Sequence, residues 1–372
     1  MQVTIMKSSR LGERRSALMP DAVARLAAKK IEVVVEPGVG ARAFVHDADW
    51  KAAGARLASP DAPATQIFVA IGPPTDDELA ALPEGATLIA PIAPAAHPER
   101  LAALNARKLT TLALDLIPRT TLAQAMDVLS SQATIAGYVA VLDAAAALPR
   151  FFPMLMTAAG TIAPARVLVL GAGVAGLSAI GTARRLGAVV EAFDVRAVVR
   201  EQIESLGAKF VVVEGLTDAG AAGGYARAQT DEERERQAAT LAKHVRAADV
   251  VIGSALVAGK QAPVLITEPM VAAMKPGSVI YDLAAEQGGN CALTVAGERI
   301  ERHGVTIVGA VDVPSRLAVH ASQMFSRNVE KLLQHLVRDG ELRLAADDEI
   351  AMGCLLTRGG EVVHPRFRGV AS

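Results

Sequence analysis

Residues 165–194, ARVLVLGAGVAGLSAIGTARRLGAVVEAFD, decide the reading of the fold. Val167 to Leu170 is a short unbroken apolar run, as expected of a strand buried on both faces of a parallel sheet. Gly171, Gly173 and Gly176 follow as G-x-G-x-x-G and open an alanine- and leucine-rich helical segment. A second apolar run, 188–193, ends in Asp194, 18 residues past Gly176. Each part has a physical use: Gly171 for the tight turn, Gly173 for close approach of backbone to a pyrophosphate, Gly176 for packing of helix on strand. The unpaired N–H groups and positive dipole end of the helix favour phosphate. Asp194 can accept from the ribose 2′-OH of NAD and repels a 2′-phosphate, although Arg196 nearby softens that exclusion. A glycine-rich turn alone is weak evidence. Strand, turn, helix, second strand and acid in order point to an NAD site, the bland alternative being a structural βαβ unit with an empty turn.

Working outward, 372 residues suffice for two domains with cores of their own. Apolar residues make up 51 %, much of it alanine, with aromatics only 3 %, a composition suited to helices packed closely on a parallel sheet. With 38 basic and 39 acidic residues there is no basic field for nucleic acid. The mean hydropathy is positive, but the longest weakly charged segment, 131–149, holds Gln132, Thr134, Tyr138 and Asp143. A spanning helix wants about 20 predominantly apolar residues, so no transmembrane segment and no signal peptide are expected. Cys291 and Cys354 lack metal-ligand spacing and read as buried thiols of a reducing cytoplasm; no metal site is expected.

Upstream, apolar runs at 3–6, 31–35, 67–71, 87–90 and 110–114 alternate with helical segments at 21–30, 47–53, 76–81 and 98–107. This alternation predicts a parallel sheet covered on both faces, a complete α/β domain forming one wall of an interdomain cleft. Residues 117–150 then lose strand alternation and read as a long helical hinge, with Gln124, Asp127 and Ser131 at i, i+3, i+7 spacing. Arg119 and Ser130 belong to the same polar cluster, which fits equally a solvated first helical turn with capping groups. Strands are expected at 210–213, 249–252, 278–282 and 306–308, making a sheet of about six. The insertion 214–237 carries Gly223, Gly224 and Tyr225 before a charge run; a lid is one reading and disorder the other. A second long helical crossing at 313–336 returns the chain to the first domain, and short strands at 354–357 and 362–363 follow. The expected architecture is α/β, two Rossmann-like domains with parallel sheets. The N-terminal domain takes 1–129 and 318–372, and the nucleotide domain, 130–317, is inserted into it through two long helices.

The chain resembles the NAD(H)-binding alpha subunit of proton-translocating NAD(P) transhydrogenases, a family related to alanine dehydrogenase. The resemblance is carried by Arg10 to Arg15 with Pro20, EPGVG at 36–40, FPMLMTAAGTIAPARVLVLGAGVAGL at 152–177 and ARRLGA at 183–188. It continues through DVR at 194–196, ESLGAKF at 204–210, PVLITEPMV at 263–271, MKPGSVIYDLAAEQGGNC at 274–291 and VPSR at 313–316. The most specific match is PRTTLAQAMDVLSSQATIAGY at 118–138, where transhydrogenases carry an Arg-Gln-Asp loop that cradles the nicotinamide. The resemblance implies that Arg119, Gln124 and Asp127, with Ser130 beside them, orient the nicotinamide. It further implies NAD(H) contacts at Gly171, Gly173, Val174, Gly176, Asp194, Val195, Arg196, Ala255, Leu256 and Leu265, and a mobile loop closing with Gly224 and Tyr225. Gln229 stands where the family has an apolar methionine. NADP(H) is then held on a partner subunit, membrane subunits carry the protons, and a homodimer at the cytoplasmic face is expected. Proton translocation is expected to lie outside a chain that ends at Ser372 without membrane helices.

One departure separates two chemistries. Alanine dehydrogenases place a lysine after the third strand and a histidine after the fourth to bind and protonate the keto acid. Here those stretches read IFVAIGPP (67–74) and TLIAPIAP (87–94), with neither residue, and Arg15 alone can only bind a carboxylate. Reduction of a ketone or imine needs a proton donor. Hydride transfer between two nicotinamides needs none, which favours transhydrogenation. An amino-acid dehydrogenase and a nucleotide-binding assembly subunit without turnover are the rival expectations.

Overall fold

The computed structural model describes residues 1–59, 66–214, 230–257 and 260–369, and the chain divides into two compact units, residues 1–132 with 315–372 and residues 133–314. In the first unit, Gln2–Ile5 lies at the middle of the parallel strands, between Glu32–Val35 on one side and Ile67–Val69 on the other. Arg56–Leu57 extends the sheet beyond Glu32–Val35, while Thr87–Ala90 and Thr110–Ala113 extend it beyond Ile67–Val69. Connections therefore run outward in both directions from the first strand, which puts the strand-order switch between Gln2–Ile5 and Ile67–Val69. The returning tail adds Leu355–Arg358 antiparallel to Thr110–Ala113, then Glu361–Val362, making eight strands.

Helix Ala318–Leu336 explains why the tail belongs to this unit. Its Phe325, Val329, Leu332, Leu333 and Leu336 are buried on one face in the same core as Leu18, Leu26 and Trp50. On that helix Ser322 and Ser326 accept from the backbone N–H groups of Ser16 and Met19 at 2.9 and 3.0 Å. Arg25 forks onto the buried Glu330 at 2.7 and 2.8 Å. A sequence separation of 306 residues is thus closed by satisfied hydrogen bonds rather than by apolar contact alone.

The second unit is a seven-stranded sheet in the order Lys209–Phe210, Val189–Phe193, Arg166–Leu170, Val250–Gly253, Val279–Asp282, Val305–Gly309, Arg299–Arg302. All pairs are parallel except the last. The expected Rossmann-like α/β class is what the chain adopts, with one strand more than anticipated. Arg299–Arg302, sequence RIER, has no apolar run because it is an exposed edge strand, where charge guards against further pairing. The strand anticipated at 210–213 ends at Phe210; Val211 still donates its N–H to Ala192 O at 2.8 Å, and Val211 and Val213 are buried beyond the strand. The hairpin Leu155–Thr157 with Gly160–Ile162 was also not anticipated, since its residues are largely exposed and carry no inward pattern.

The hinge helix spans Val128–Ala147, and the division between the units, at 132/133, falls within it. Within the second unit it lies tightly on helix Val174–Arg185: a methyl on Gly137 would come 2.0 Å from the Ala175 carbonyl oxygen, and Ser178 Oγ donates to Thr134 O at 2.8 Å. Tyr281 donates to Asp143 at 2.8 Å, and burial pushes the Tyr281 phenol up to about 12. Among the described residues this is the one helix long and apolar enough to cross a bilayer by length and composition. Its glycine contact and its paired Asp143 assign it instead to packing on the sheet.

Glu13 is 3 % exposed and sits at the centre of the first unit's polar contacts. It accepts from Arg15 Nε and Nη2 at 2.8 and 2.6 Å and from Ser315 Oγ at 2.6 Å. Arg15 Nη1 in turn donates to Gln132, whose amide donates to Ala321 O. Burial alone would raise the Glu13 carboxyl, but the Arg15 fork and Ser315 outweigh it and hold it at about 2. A carboxyl lowered on folding stabilises above its ordinary value and loses that contribution as pH falls through the folded one. Stability should therefore drop as pH goes from 4.5 towards 2, by on the order of 3 kcal/mol from this group. Urea titrations across that range should show a flatter acid limb for Glu13→Gln, with lower stability at neutral pH because Arg15 loses its partner.

Candidate functional site

The turn between Arg166–Leu170 and Val174–Arg185 has three glycines with three different environments. Gly171 has φ +95° and donates its N–H to Phe193 O at 2.8 Å; a methyl on it would lie 2.8 Å from the Ala255 nitrogen. A methyl on Gly176 would lie 1.9 Å from the Gly171 carbonyl oxygen, so helix and strand end touch backbone to backbone. Gly173 differs: it is the helix N-cap, with no side-chain cap, and a methyl on it would meet nothing within 4 Å among the described residues. The protein's own packing does not require glycine there. A group lying on the first-turn amides of Val174 and its neighbours would, so the turn fits a dinucleotide pyrophosphate.

Asp194 ends the next strand and is 8 % exposed. Its Oδ2 accepts from the Ala172 N–H at 2.8 Å, tying the acid to the glycine turn. Arg196 takes the remaining positions: its N–H and Nε bond Oδ1 at 2.9 Å each, and its Nη2 bonds Oδ2 at 2.8 Å. The hydrogen bonds it donates to Asp194 hold the Arg196 guanidinium above its ordinary pKa. A carboxylate offers about four acceptor positions, and these donors account for four. A ribose hydroxyl reaching Asp194 therefore competes with an arm of Arg196, and the softening role read for Arg196 in the sequence is set by this fork.

The polar cluster of the hinge lies in the first unit. Gln124 is in the 3-10 turn Gln124–Met126, and Asp127 follows with ψ 95°, outside the helix that begins at Val128. The i, i+3, i+7 spacing of Gln124, Asp127 and Ser131 thus does not run along one helix, because the chain changes from 3-10 to α geometry at Asp127. Asp127 is the N-cap: Oδ1 accepts from the Ser130 N–H at 2.9 Å and Oδ2 from Ser130 Oγ at 2.6 Å. Arg119 and Gln124 are exposed, on the stretch that ends in this cap. The capping reading of Asp127 and Ser130 is therefore correct as structure, and it leaves lone pairs on both carboxylate oxygens.

The loops where alanine dehydrogenases carry lysine and histidine border a cavity of about 400 Å³, whose charged lining is Arg10, Asp76, Glu99 and Arg100. His97, just beyond, is exposed and pairs with Glu99 at 3.0 Å. Arg15 already holds the Glu13 carboxylate. Cys291 and Cys354 are buried thiols, as expected, and burial raises both, Cys354 to about 12, so neither offers a thiolate at neutral pH.

Ala255, Leu256 and Leu265 follow strand Val250–Gly253, and of these Ala255 closes on Gly171 of the glycine turn. Gly224, Tyr225 and Gln229 lie outside the described residues. Two residues here had no assignment from sequence. Ser254 Oγ bonds the carbonyls of Leu170 and Gly171 at 3.1 and 3.0 Å, and Asn290 bonds Ala255. Their only signal was position: a serine ending an apolar run, and an asparagine after Gly288 and Gly289.

The comparisons with known proteins show the family. The alanine dehydrogenase/PNT N-terminal domain matches residues 4–136, and the alanine dehydrogenase/PNT C-terminal domain matches residues 140–365. Over 381 aligned positions the chain is 47 % identical to the first of the polypeptides named as NAD(P) transhydrogenase subunit alpha in Rhodospirillum rubrum, covering 99 % of each. It is 30 % identical to an alanine dehydrogenase of Halomonas elongata, covering 98 % of this chain and 95 % of the other. Among solved structures it is similar to a transhydrogenase from Sinorhizobium meliloti, with TM-score 0.86, 41 % identity and coverage of 99 % and 100 %.

The contrast among the glycines gives a direct experiment. Gly173→Ala should leave the thermal midpoint near wild type while weakening NADH binding by about tenfold or more in a fluorescence titration. Gly176→Ala should lower the midpoint itself. Asp127→Ala should cost about 1 kcal/mol in urea unfolding through loss of the cap, with Asp127→Asn retaining most of it.

Proposed function

Because the chain belongs to the alanine dehydrogenase/PNT family, we propose that it is the NAD(H)-binding alpha component of a proton-translocating NAD(P) transhydrogenase. NAD(H), when bound, supplies the hydride, and NADP(H) on a partner subunit is the other party. In this reading the Gly171–Gly176 turn and Val174 hold the pyrophosphate, and Asp194, Val195 and Arg196 hold the ribose. Ala255, Leu256 and Leu265 border the same turn. Arg119, Gln124, Asp127 and Ser130 orient the nicotinamide, and the loop with Gly224 and Tyr225 closes over it. Asp127 serves twice, its helix cap fixing the carboxylate that faces the ligand. The residues contribute proximity and orientation, worth about 7–11 kcal/mol when fully exploited. The membrane subunits, the NADP(H)-binding subunit, a second copy of this chain and a position on the cytoplasmic face of the membrane complete the proposal.

The observation that supports this over a free-standing amino-acid dehydrogenase is the Glu13–Arg15 fork, together with the absence of lysine and histidine from 67–74 and 87–94. A keto acid would find its arginine occupied, and residues 67–74 and 87–94 hold no lysine or histidine to protonate it. With partner subunits, Gln124→Asn should slow single-turnover hydride transfer while NADH affinity stays within a few fold. Unchanged single-turnover rates would remove Gln124 from the role. Alanine-dependent reduction of NAD⁺ by the pure chain would establish the dehydrogenase instead, and nucleotide binding without turnover, even with partners, the assembly subunit.

A further inference from the structure

Six hydrogen bonds converge on Asn290, which is 0 % exposed. Its Oδ1 accepts from the Ala255 N–H at 2.9 Å, while its Nδ2 donates to Ala255 O and Pro263 O at 2.9 Å each. Its own carbonyl accepts from the N–H groups of Leu265 and Ile266 at 2.8 and 2.9 Å. Its own N–H donates to Asp282 Oδ2 at 2.7 Å. Asp282, also 0 % exposed, takes further donors from Ala284, Cys291 and Thr294 Oγ1. Strand Val250–Gly253 allows this approach because it ends in glycine: a methyl on Gly253 would lie 3.1 Å from both Asn290 Cβ and Asp282 Oδ1.

An amide that takes both the N–H and the C=O of one residue does the work of a neighbouring strand at a place where no strand is present. With its third hydrogen bond to Pro263, every polar hydrogen of the amide is used, and Ala255, Pro263 and Leu265 are all held by this one residue. Leucine, of similar size, would leave the Ala255 N–H and two carbonyls buried without partners. A carboxylate would face two carbonyl oxygens at hydrogen-bond distance. The position demands a group that donates twice and accepts once.

We propose that Asn290, oriented by Asp282, is the positioning residue of the nucleotide site, acting through the backbone of Ala255 and Leu265 and, by the close approach of Ala255, on the Gly171 turn. This rests on the proposed NAD(H) contacts of Ala255, Leu256 and Leu265. Asn290 touches no reacting atom; it sets where the loop stands.

The test is fluorescence titration of the full chain with NADH, and competition by ADP-ribose, which lacks the nicotinamide. Failure of the wild-type chain to bind would overturn the nucleotide reading itself and is thereby distinct from failure of the Asn290 variants to differ. Asn290→Ala should weaken NADH and ADP-ribose by the same factor, about tenfold or more. Asn290→Asp keeps the shape, and protonation of the introduced carboxyl restores one donor. Its deficit relative to wild type should therefore shrink as pH is lowered towards 5, with Asp282 the neighbouring charge that favours protonation. Circular dichroism and thermal midpoints establish that each variant is folded. If Asn290→Ala does not fold, the pH profile of Asn290→Asp decides. A folded Asn290→Ala with NADH affinity within about twofold of wild type, or an Asn290→Asp deficit independent of pH, overturns the proposal.

Discussion

Backbone meets backbone at the strand-to-helix turn, and the second unit is built around that approach. With Gly176 against the Gly171 carbonyl and Gly171 against Ala255, helix Val174–Arg185 can rise only in one place over the sheet. The same helix then receives Gly137 on its first turn, at the Ala175 carbonyl. Three close approaches in series carry rigidity from the strand ends, through helix Val174–Arg185, to the hinge helix. Side chains of ordinary size at any of these positions would open a gap of an ångström or more, and close-packed interiors tolerate that poorly.

Hydrogen bonds finish what the close packing begins. Asp194 reaches back to Ala172, Ser254 bridges the carbonyls of Leu170 and Gly171, and Asn290 closes on Ala255. Each ties a side chain to backbone groups at the ends of the strands. The first-turn amides at Gly173 and Val174 have no side-chain cap. A site that satisfies its surroundings so fully while leaving one set of donors presented is preorganised for an anionic group at that place.

How much of this was legible in the sequence depended on how locally it was determined. Buried parallel strands were found within a residue or two because an unbroken apolar run such as Val167 to Leu170 needs no partner to be recognised. Arg299–Arg302 was invisible because an edge strand owes its place to pairing with Val305–Gly309. The need for Gly137 appears only with Ala175 beside it, a contact between two helices that the sequence of neither one encodes. Asp127 was ambiguous between cap and ligand for a physical reason: both roles ask for a carboxylate at the start of a helix, and its two oxygens can serve both. Asn290 acts on residues 35 positions earlier, a relation that composition and period do not encode.

In the first unit a buried ion pair occupies the arginine that a keto acid would need. Arg15 could hold a substrate carboxylate only by releasing Glu13, two residues away on the same chain and held in a bidentate fork. Such a partner is present at an effective concentration no dissolved acid matches, because its position is fixed before any ligand arrives. Glu13 stays ionised across the physiological range, since its carboxyl is held at about 2, so protonation does not free the arginine. Arg15 is further tied through Gln132 to Ala321, which gives the pair a structural task in joining the early segment to the returning helix. Binding a substrate carboxylate at Arg15 would have to break that joint. Orienting a nicotinamide from Arg119, Gln124 and Asp127, on an exposed stretch that ends in a helix cap, leaves it intact.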